Sequence, residues 1–120
     1  MESSPSPFAH LGDELTPQEV ADAVATGTVQ LVDVREPYER EAGYIDGSRH
    51  IELERLAAQA TTIDRDRPVI FYCRLGARSG MATQAFRGAG YDARNLSGGI
   101  AAWAAAGLPV APDGGYVADH

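Results

Sequence analysis

Val69-Ile70-Phe71-Tyr72-Cys73-Arg74-Leu75-Gly76-Ala77-Arg78-Ser79 is the stretch from which the rest of the chain can be read. Its first four residues are β-branched or aromatic with no polar interruption, the composition of a strand buried on both faces. Cys73 closes that strand. A short loop with Gly76 and two arginines follows, and a helical pattern begins near Ser79. A strand–loop–helix junction turns backbone N–H groups and the positive end of a helix dipole toward one point. The single cysteine of the chain stands at that point. A thiol so placed is drawn toward thiolate, the form that attacks electrophiles.

Upstream, Val29 to Val34 is a second apolar, β-rich run, and it ends on Asp33-Val34-Arg35. Short strands alternating with helical patterns predict an α/β domain with a small, mostly parallel sheet and helices on both faces. Ligands of such sheets bind beyond the carboxyl ends of the strands, so Asp33, Arg35 and Cys73 fall on one rim. Thr16-Pro17-Gln18-Glu19 reads as a helix start with Thr16 as N-cap, Pro17 at the first position and Glu19 closing a capping box. Val20, Ala23 and Val24 form its apolar stripe and Gly27 its stop. The pattern further predicts a short helix over 37–42, a helix over 54–60, a helix over 79–87 with Met81, Ala82, Ala85 and Phe86 on one side, and a final helix over 100–106. Short strands are expected at 8–11, 50–53 and 92–96. Residues 1–7 are Ser/Pro-rich and read as a disordered tail, 8–111 as the domain, and 112–120 as a loose C-terminal tail.

Composition narrows the function classes. At 120 residues the chain is one domain that needs no disulfide, and one cysteine forms none within the chain. It also excludes zinc sites built from several cysteines, and the three histidines are scattered rather than at ligand spacing, so no metal is expected. A formal net charge of −7 without a basic stripe argues against nucleic acid and anionic membranes as partners. No phosphate-binding glycine motif is present, so no nucleotide cofactor is expected. The first residues lack a basic and an apolar signal region, and a lone cysteine suits a reducing compartment, so the cytoplasm is the expected location.

Three blocks resemble the rhodanese family. Leu31-Val32-Asp33-Val34-Arg35-Glu36-Pro37 is similar to the family's D-V-R-E-P block. Cys73-Arg74-Leu75-Gly76-Ala77-Arg78-Ser79 resembles its active-site loop, C-R-x-G-x-R-S. Leu96-Ser97-Gly98-Gly99 with Trp103 is similar to its L-x-G-G-x-x-x-W block. The resemblance covers roughly residues 9–110. The chain departs from the family where Tyr44-Ile45-Asp46 replaces the frequent H-I-P, and where Glu52 stands in I-P-L.

The resemblance implies a single-domain sulfurtransferase. Its cysteine, here Cys73, would take a sulfane sulfur from a small anionic donor such as thiosulfate. The resulting persulfide would pass that sulfur to cyanide, another thiophile or an acceptor protein, with no cofactor. The residues agree with such covalent catalysis. A free cysteine is only a few per cent thiolate at neutral pH, and each unit of pKa lowering is worth about 1.4 kcal/mol, the scale of a helix N-terminus. Arg74, Leu75, Gly76, Ala77, Arg78 and Ser79 are the expected substrate cradle. Asp33 and Arg35 are expected to brace it as an ion pair, and Gly76 to supply a positive φ. Trp103 and Tyr72 read as packing residues, and a spatial approach of His50 to the thiol is left open.

Two other readings remain. One is a cysteine phosphatase or arsenate reductase, but those use C-x5-R, and Cys73 to Arg78 is one residue shorter. The other is a non-catalytic binding module, or a relay that takes sulfur from a partner protein.

Overall fold

The structure, a computed structural model of the chain, describes residues 11–119. Five strands make one parallel sheet: β1 (Glu14–Leu15), β2 (Gln30–Asp33), β3 (Arg49–His50), β4 (Val69–Tyr72) and β5 (Ala93–Leu96), in the order β1-β5-β4-β2-β3. The described residues also form four helices, α1 (Pro17–Ala25), α2 (Pro37–Ala42), α3 (Ala77–Gly88) and α4 (Gly99–Ala105); the first three connect strands and α4 follows β5. β4 lies at the centre, in register with β2 from Gln30↔Val69 to Asp33↔Tyr72 and with β5 from Val69↔Ala93 to Phe71↔Asn95. The expected α/β architecture is therefore present, and its sheet is wholly parallel.

The strand side chains alternate between two cores, as a period of two requires. Leu31, Ile70, Tyr72 and Leu96 pack with Val20 and Ala23 of α1 and Ile100 and Trp103 of α4. Val32, Val34, Phe71, Cys73 and Ala93 pack with Ala82 and Phe86 of α3 and with Leu56 and Ile63. Continuous apolar runs over β2 and β4 are thus explained by a sheet covered on both faces. Trp103 is core, as expected, with Nε1 donating to the Pro109 carbonyl at 2.8 Å.

Local signals placed the helices well. Thr16 Oγ1 accepts from the Glu19 amide at 3.1 Å while the Glu19 carboxylate accepts from the Thr16 amide at 2.8 Å, the reciprocal capping box. Other expectations need correction. The buried stripe of α3 is Ser79, Ala82, Thr83 and Phe86, whereas Met81 is 60% exposed. Of the strand expected at 8–11, positions 8–10 lie outside the described residues and Leu11 is in no strand; the described edge strand on that side is β1. The helix expected over 54–60 is replaced by two short 3-10 turns, Leu53–Arg55 and Ala60–Thr62. There the amides of Ile51 and Leu53 bond to the carbonyls of Asp33 and Val34, so the chain is tied to the sheet edge, and Leu56 and Ile63 anchor it at wide spacing.

Residues 112–119, read from sequence as a loose tail, lie back on the domain. The Tyr116 amide donates to the carbonyl of Ala42, the last residue of α2, at 2.9 Å, Val117 packs on the core, and Ala118 is buried. A helix end leaves carbonyls without partners, and this segment satisfies one of them. Residues 1–7, read as disordered, fall outside the described residues. Among the described residues no helix is long and apolar enough to cross a membrane.

A buried charge network fixes the rim. Asp33 and Arg35 are both fully buried and joined by two side-chain bonds, Nε to Oδ1 at 2.9 Å and Nη2 to Oδ2 at 2.8 Å. Arg35 also donates to the Gly43 carbonyl at 2.7 Å, and Arg40 approaches Asp33 at 3.5 Å. The Tyr72 hydroxyl donates to Asp33 at 3.2 Å and receives the Ile45 amide at 3.1 Å. Burial and the neighbouring Asp33 carboxylate push the Tyr72 phenol up to about 12, so it stays a donor at any physiological pH. Removing one partner of a buried pair strands the other charge, at a cost of about 3–5 kcal/mol. Asp33→Ala is expected to lose stability on that scale, read as a fall in the urea midpoint at constant slope.

Candidate active site

Cys73 follows the last residue of β4 and is almost fully buried. Its Sγ accepts a hydrogen bond from the Gly76 amide at 3.0 Å and from the Ser79 hydroxyl at 3.3 Å. Burial alone would push this thiol up. The Ser79 hydroxyl and the amides of Ser79, Gly76 and Leu75 act against burial and prevail, so the Cys73 pKa is lowered. These donors come from the loop and the first turn of α3, where helix N–H groups lack intrahelical acceptors.

Two glycines shape the loop. Gly76 precedes α3 with φ +106°, a left-handed conformation that side chains resist, and it turns the chain so that its N–H faces back to Cys73. Gly99 has φ +63°, and a Cβ there would collide with the carbonyls of Cys73 and Arg74. Because Gly99 has none, the start of α4 lies against the loop. The Ile100 amide donates to the Cys73 carbonyl at 2.9 Å and the Ala101 amide to the Arg74 carbonyl at 3.1 Å. The third sequence block thus takes up the loop's carbonyls while the loop's amides turn toward sulfur.

The arginines are committed elsewhere. Arg78 makes a two-pronged pair with Glu39 of α2, Nη1 to Oε1 at 2.8 Å and Nη2 to Oε2 at 3.0 Å. Glu39 is buried; burial would raise its carboxyl pKa, but the Arg78 bonds and the Glu36 amide lower it. Arg78 in turn is raised, chiefly by its bond to Glu39 and less by the nearby Cys73. Arg74 reaches back to Asp119 at 2.8 Å, while its buried Nε has no partner. Leu75 and Ala77 are exposed on the rim.

The expected bracing pair, Asp33 and Arg35, is present but makes its bonds to Gly43, Tyr72 and Arg40 rather than to residues 74–79. Direct support comes from Glu39, which the sequence reading passed over. Its signal was available: a glutamate two positions into α2, able to cross to an arginine at the start of α3. His50 does not approach the thiol; its Nε2 lies 2.7 Å from the Arg35 carbonyl. His10 and His120 lie outside the described residues.

A family model described as a rhodanese-like domain matches residues 16–106, a span that holds the three blocks, the sheet and the whole cysteine loop. The chain belongs to the rhodanese-like family. Among its rhodanese-like relatives is a sulfurtransferase of Allochromatium vinosum, 41% identical over 106 residues, covering 87% of this chain and 96% of that protein. A thiosulfate sulfurtransferase, GlpE, of Ectopseudomonas mendocina is 34% identical over 92 residues, covering 76% of this chain and 84% of that one. The crystal structure of a rhodanese-related protein from Thermoplasma volcanium superposes with a TM-score of 0.78 at 26% identity, over 83% of this chain and 98% of that one. This rhodanese-like fold therefore has sulfurtransferases among its relatives.

Alkylation of Cys73 by iodoacetamide, followed against pH, is expected to show a midpoint below the ordinary cysteine value of about 8.5. Ser79→Ala removes the hydroxyl donor and is expected to move that midpoint upward. The Glu39–Arg78 pair has its own pH signature. A depressed carboxyl pKa contributes stability above the unfolded value, about 4.3, and loses it as pH falls through the folded value. Urea stabilities of wild type and Glu39→Gln are therefore expected to differ at neutral pH and to converge in acid.

Proposed function

We propose that Cys73 carries a sulfane sulfur as a persulfide between an anionic donor such as thiosulfate and a thiophilic acceptor. The observation that carries this reading is the set of donors directed at one buried sulfur, with the Cys73 thiol lowered despite its burial. The relatives described as sulfurtransferases support it.

In the first step the Cys73 thiolate attacks the outer sulfur of thiosulfate. A sulfur–sulfur bond forms at Cys73 as the one within thiosulfate breaks, and sulfite departs with the electron pair. In the second step an acceptor such as cyanide attacks the outer sulfur of the persulfide. The bond to Cys73 breaks, its electron pair returns to the cysteine, and thiocyanate leaves. No proton need be removed from the nucleophile at the moment of attack, so no general base is required. The amides that hold the thiolate also suit a persulfide anion and the incoming oxyanion, since oriented N–H groups form an anion-binding concavity.

Arg78 stabilises by position. Locked on Glu39, it sets the first turn of α3 and adds positive potential near Cys73. This commitment also weighs against the phosphatase reading, in which the loop arginine would be the ligand of a phosphate. Arg74 has the freer guanidinium. Its partner Asp119 is 89% exposed, and an exposed pair is held by about 1 kcal/mol or less, which an arriving anion readily replaces. A lone nucleophilic thiol suits a reducing compartment, and this reading takes the cytoplasm as the place of the reaction.

Intact mass after incubation with thiosulfate tests the reading. The wild type is expected to gain one sulfur and lose it to cyanide, and Cys73→Ser to gain none. If thiosulfate leaves both unchanged while a protein persulfide loads the wild type, the chain is a relay with a partner as donor. Loading by no sulfane donor would sink the sulfur-carrier reading.

A further inference from the structure

The last described residues run as a strap from α4 back to the Cys73 loop. Beyond α4 the chain is held at Pro109, whose carbonyl accepts from Trp103 Nε1, and at Ala111, which exchanges two backbone hydrogen bonds with Tyr44 at 2.7 and 2.8 Å. The Gly115 amide then closes a turn on the Pro112 carbonyl at 2.7 Å. Tyr116 passes close along Gly43, where a Cβ would strike the Tyr116 backbone and Val110, and its amide donates to Ala42. Val117 packs on the core and Ala118 is 8% exposed. The next residue is Asp119, whose Oδ1 receives Arg74 Nη2 at 2.8 Å. The strap is pinned up to Ala118, and this pinning delivers the carboxylate to the cysteine loop.

Arg74 follows Cys73 directly, and its carbonyl is fixed by the Ala101 amide. Its guanidinium stands on the α2 side of the loop, as that of Arg78 does. The Tyr38 phenol on the first turn of α2 is raised by partial burial first and by Glu39 and Glu36, and it feels Arg78 and Arg74 in the opposite sense. Arg78 in turn senses Cys73. The two arginines differ in how they are held. Arg78 is locked by two bonds to the buried Glu39. Arg74 has one bond to Asp119, whose side chain is 89% exposed. Water screens such a pair, and it contributes little by itself. Its strength lies in the tether. With Ala118 buried, a carboxylate that lets go of Arg74 stays beside it, and a group on so short a tether acts at an effective concentration in the millimolar range. An anion from solution must displace it to pair with Arg74.

We infer that Asp119 is a tethered competitor of anionic reagents at Arg74, and that it sets how strongly the cysteine loop favours a charged sulfur donor over a neutral one. For the donor, the inference rests on the sulfur-carrier reading of Cys73 and on Arg74 as the partner of the donor's charge. A singly charged anion gains little by replacing one carboxylate with another. A dianion such as thiosulfate gains more from Arg74 and displaces Asp119. Only the Asp119 side chain has to swing away, since Tyr116 and Ala118 keep the strap on the domain. The exchange is one ion pair for another and makes or breaks no covalent bond.

Iodoacetate and iodoacetamide, two alkylating reagents of nearly equal shape, separate charge from reactivity at Cys73 and need no sulfur transfer. The ratio of their rates is compared in the wild type, Asp119→Asn, Arg74→Gln and the double variant. Asp119→Asn is expected to raise the ratio of iodoacetate to iodoacetamide about threefold, within the scale of one exposed ion pair. Arg74→Gln is expected to lower it, and Asp119→Asn to add little once Arg74 is gone. An unchanged ratio in Asp119→Asn would overturn the inference. So would an equal rise in the Arg74→Gln background, or in Asp22→Asn on α1, because loss of any one negative charge from a chain of net charge −7 would then explain it. Loading with sulfur at low thiosulfate, read by intact mass at short times, extends the test to the donor. Asp119→Asn is expected to load about threefold faster than the wild type. Equal loading rates remove the inference for the donor and leave the sulfur-carrier reading standing. If no sulfane donor loads either protein, the sulfur-carrier reading falls, and the alkylation ratio still decides whether Asp119 competes at Arg74.

Discussion

The structure around Cys73 depends on separating the two kinds of backbone polar group. Every residue of the loop brings a carbonyl as well as an amide, and both need partners once water is excluded. A cradle for an anion forms only if the carbonyls are taken up elsewhere. Here α4 takes up two of them, with Ile100 and Ala101 donating to Cys73 and Arg74. That contact requires a residue without Cβ at Gly99 and a left-handed turn at Gly98. The amides are then left to face Sγ. The cysteine loop and the glycine pair are one device split across two strand ends, and the parallel order β5-β4 brings both ends to the same rim.

Charge is arranged in the same spirit. All ten basic residues are arginines, and the planar fork of arginine suits two-pronged pairing with a carboxylate. Arg35 and Arg78 are both used in this way, on Asp33 and Glu39. The Arg78–Glu39 pair joins α3 to α2, and Arg40 on Asp33 with Arg35 on the Gly43 carbonyl ties α2 to the end of β2, so none of these guanidinium groups is left free beside the sulfur. Removing either carboxylate would leave a cation without its partner close to the site, with consequences for the cradle's position as well as its potential. The lowering of the Cys73 thiol then falls to backbone amides and one hydroxyl, which are fixed in place by the fold.

The sequence carried much of this. The apolar runs of β2 and β4 are continuous because the sheet is covered on both faces, so they announced a parallel α/β fold. The capping box at Thr16 and Glu19 and the glycine at 76 act locally, and local signals survive into the structure. What was missed depended on distance in the chain. Glu39 and Arg78 lie 39 positions apart, and nothing in either segment alone pairs them. The stripe of α3 was misassigned because Met81 and Ala85 are apolar, while the buried places went to Ser79 and Thr83, each with a bond to make. The segment after Ile51 has helical composition but is pinned to the sheet edge at its start, and tertiary ties override so weak a preference.

Gly76 ties the sulfur to the neighbouring strand. The donors that reach Sγ include an amide from the middle of the loop, Gly76, and a hydroxyl one turn later, Ser79. The Gly76 carbonyl in turn accepts from Asn95 Nδ2. Its two peptide groups therefore join the sulfur to Asn95 on β5. The N–H end of this path faces the sulfur and the Asn95 amide holds its carbonyl end, so the loop is fixed from β5 as well as from the start of α4.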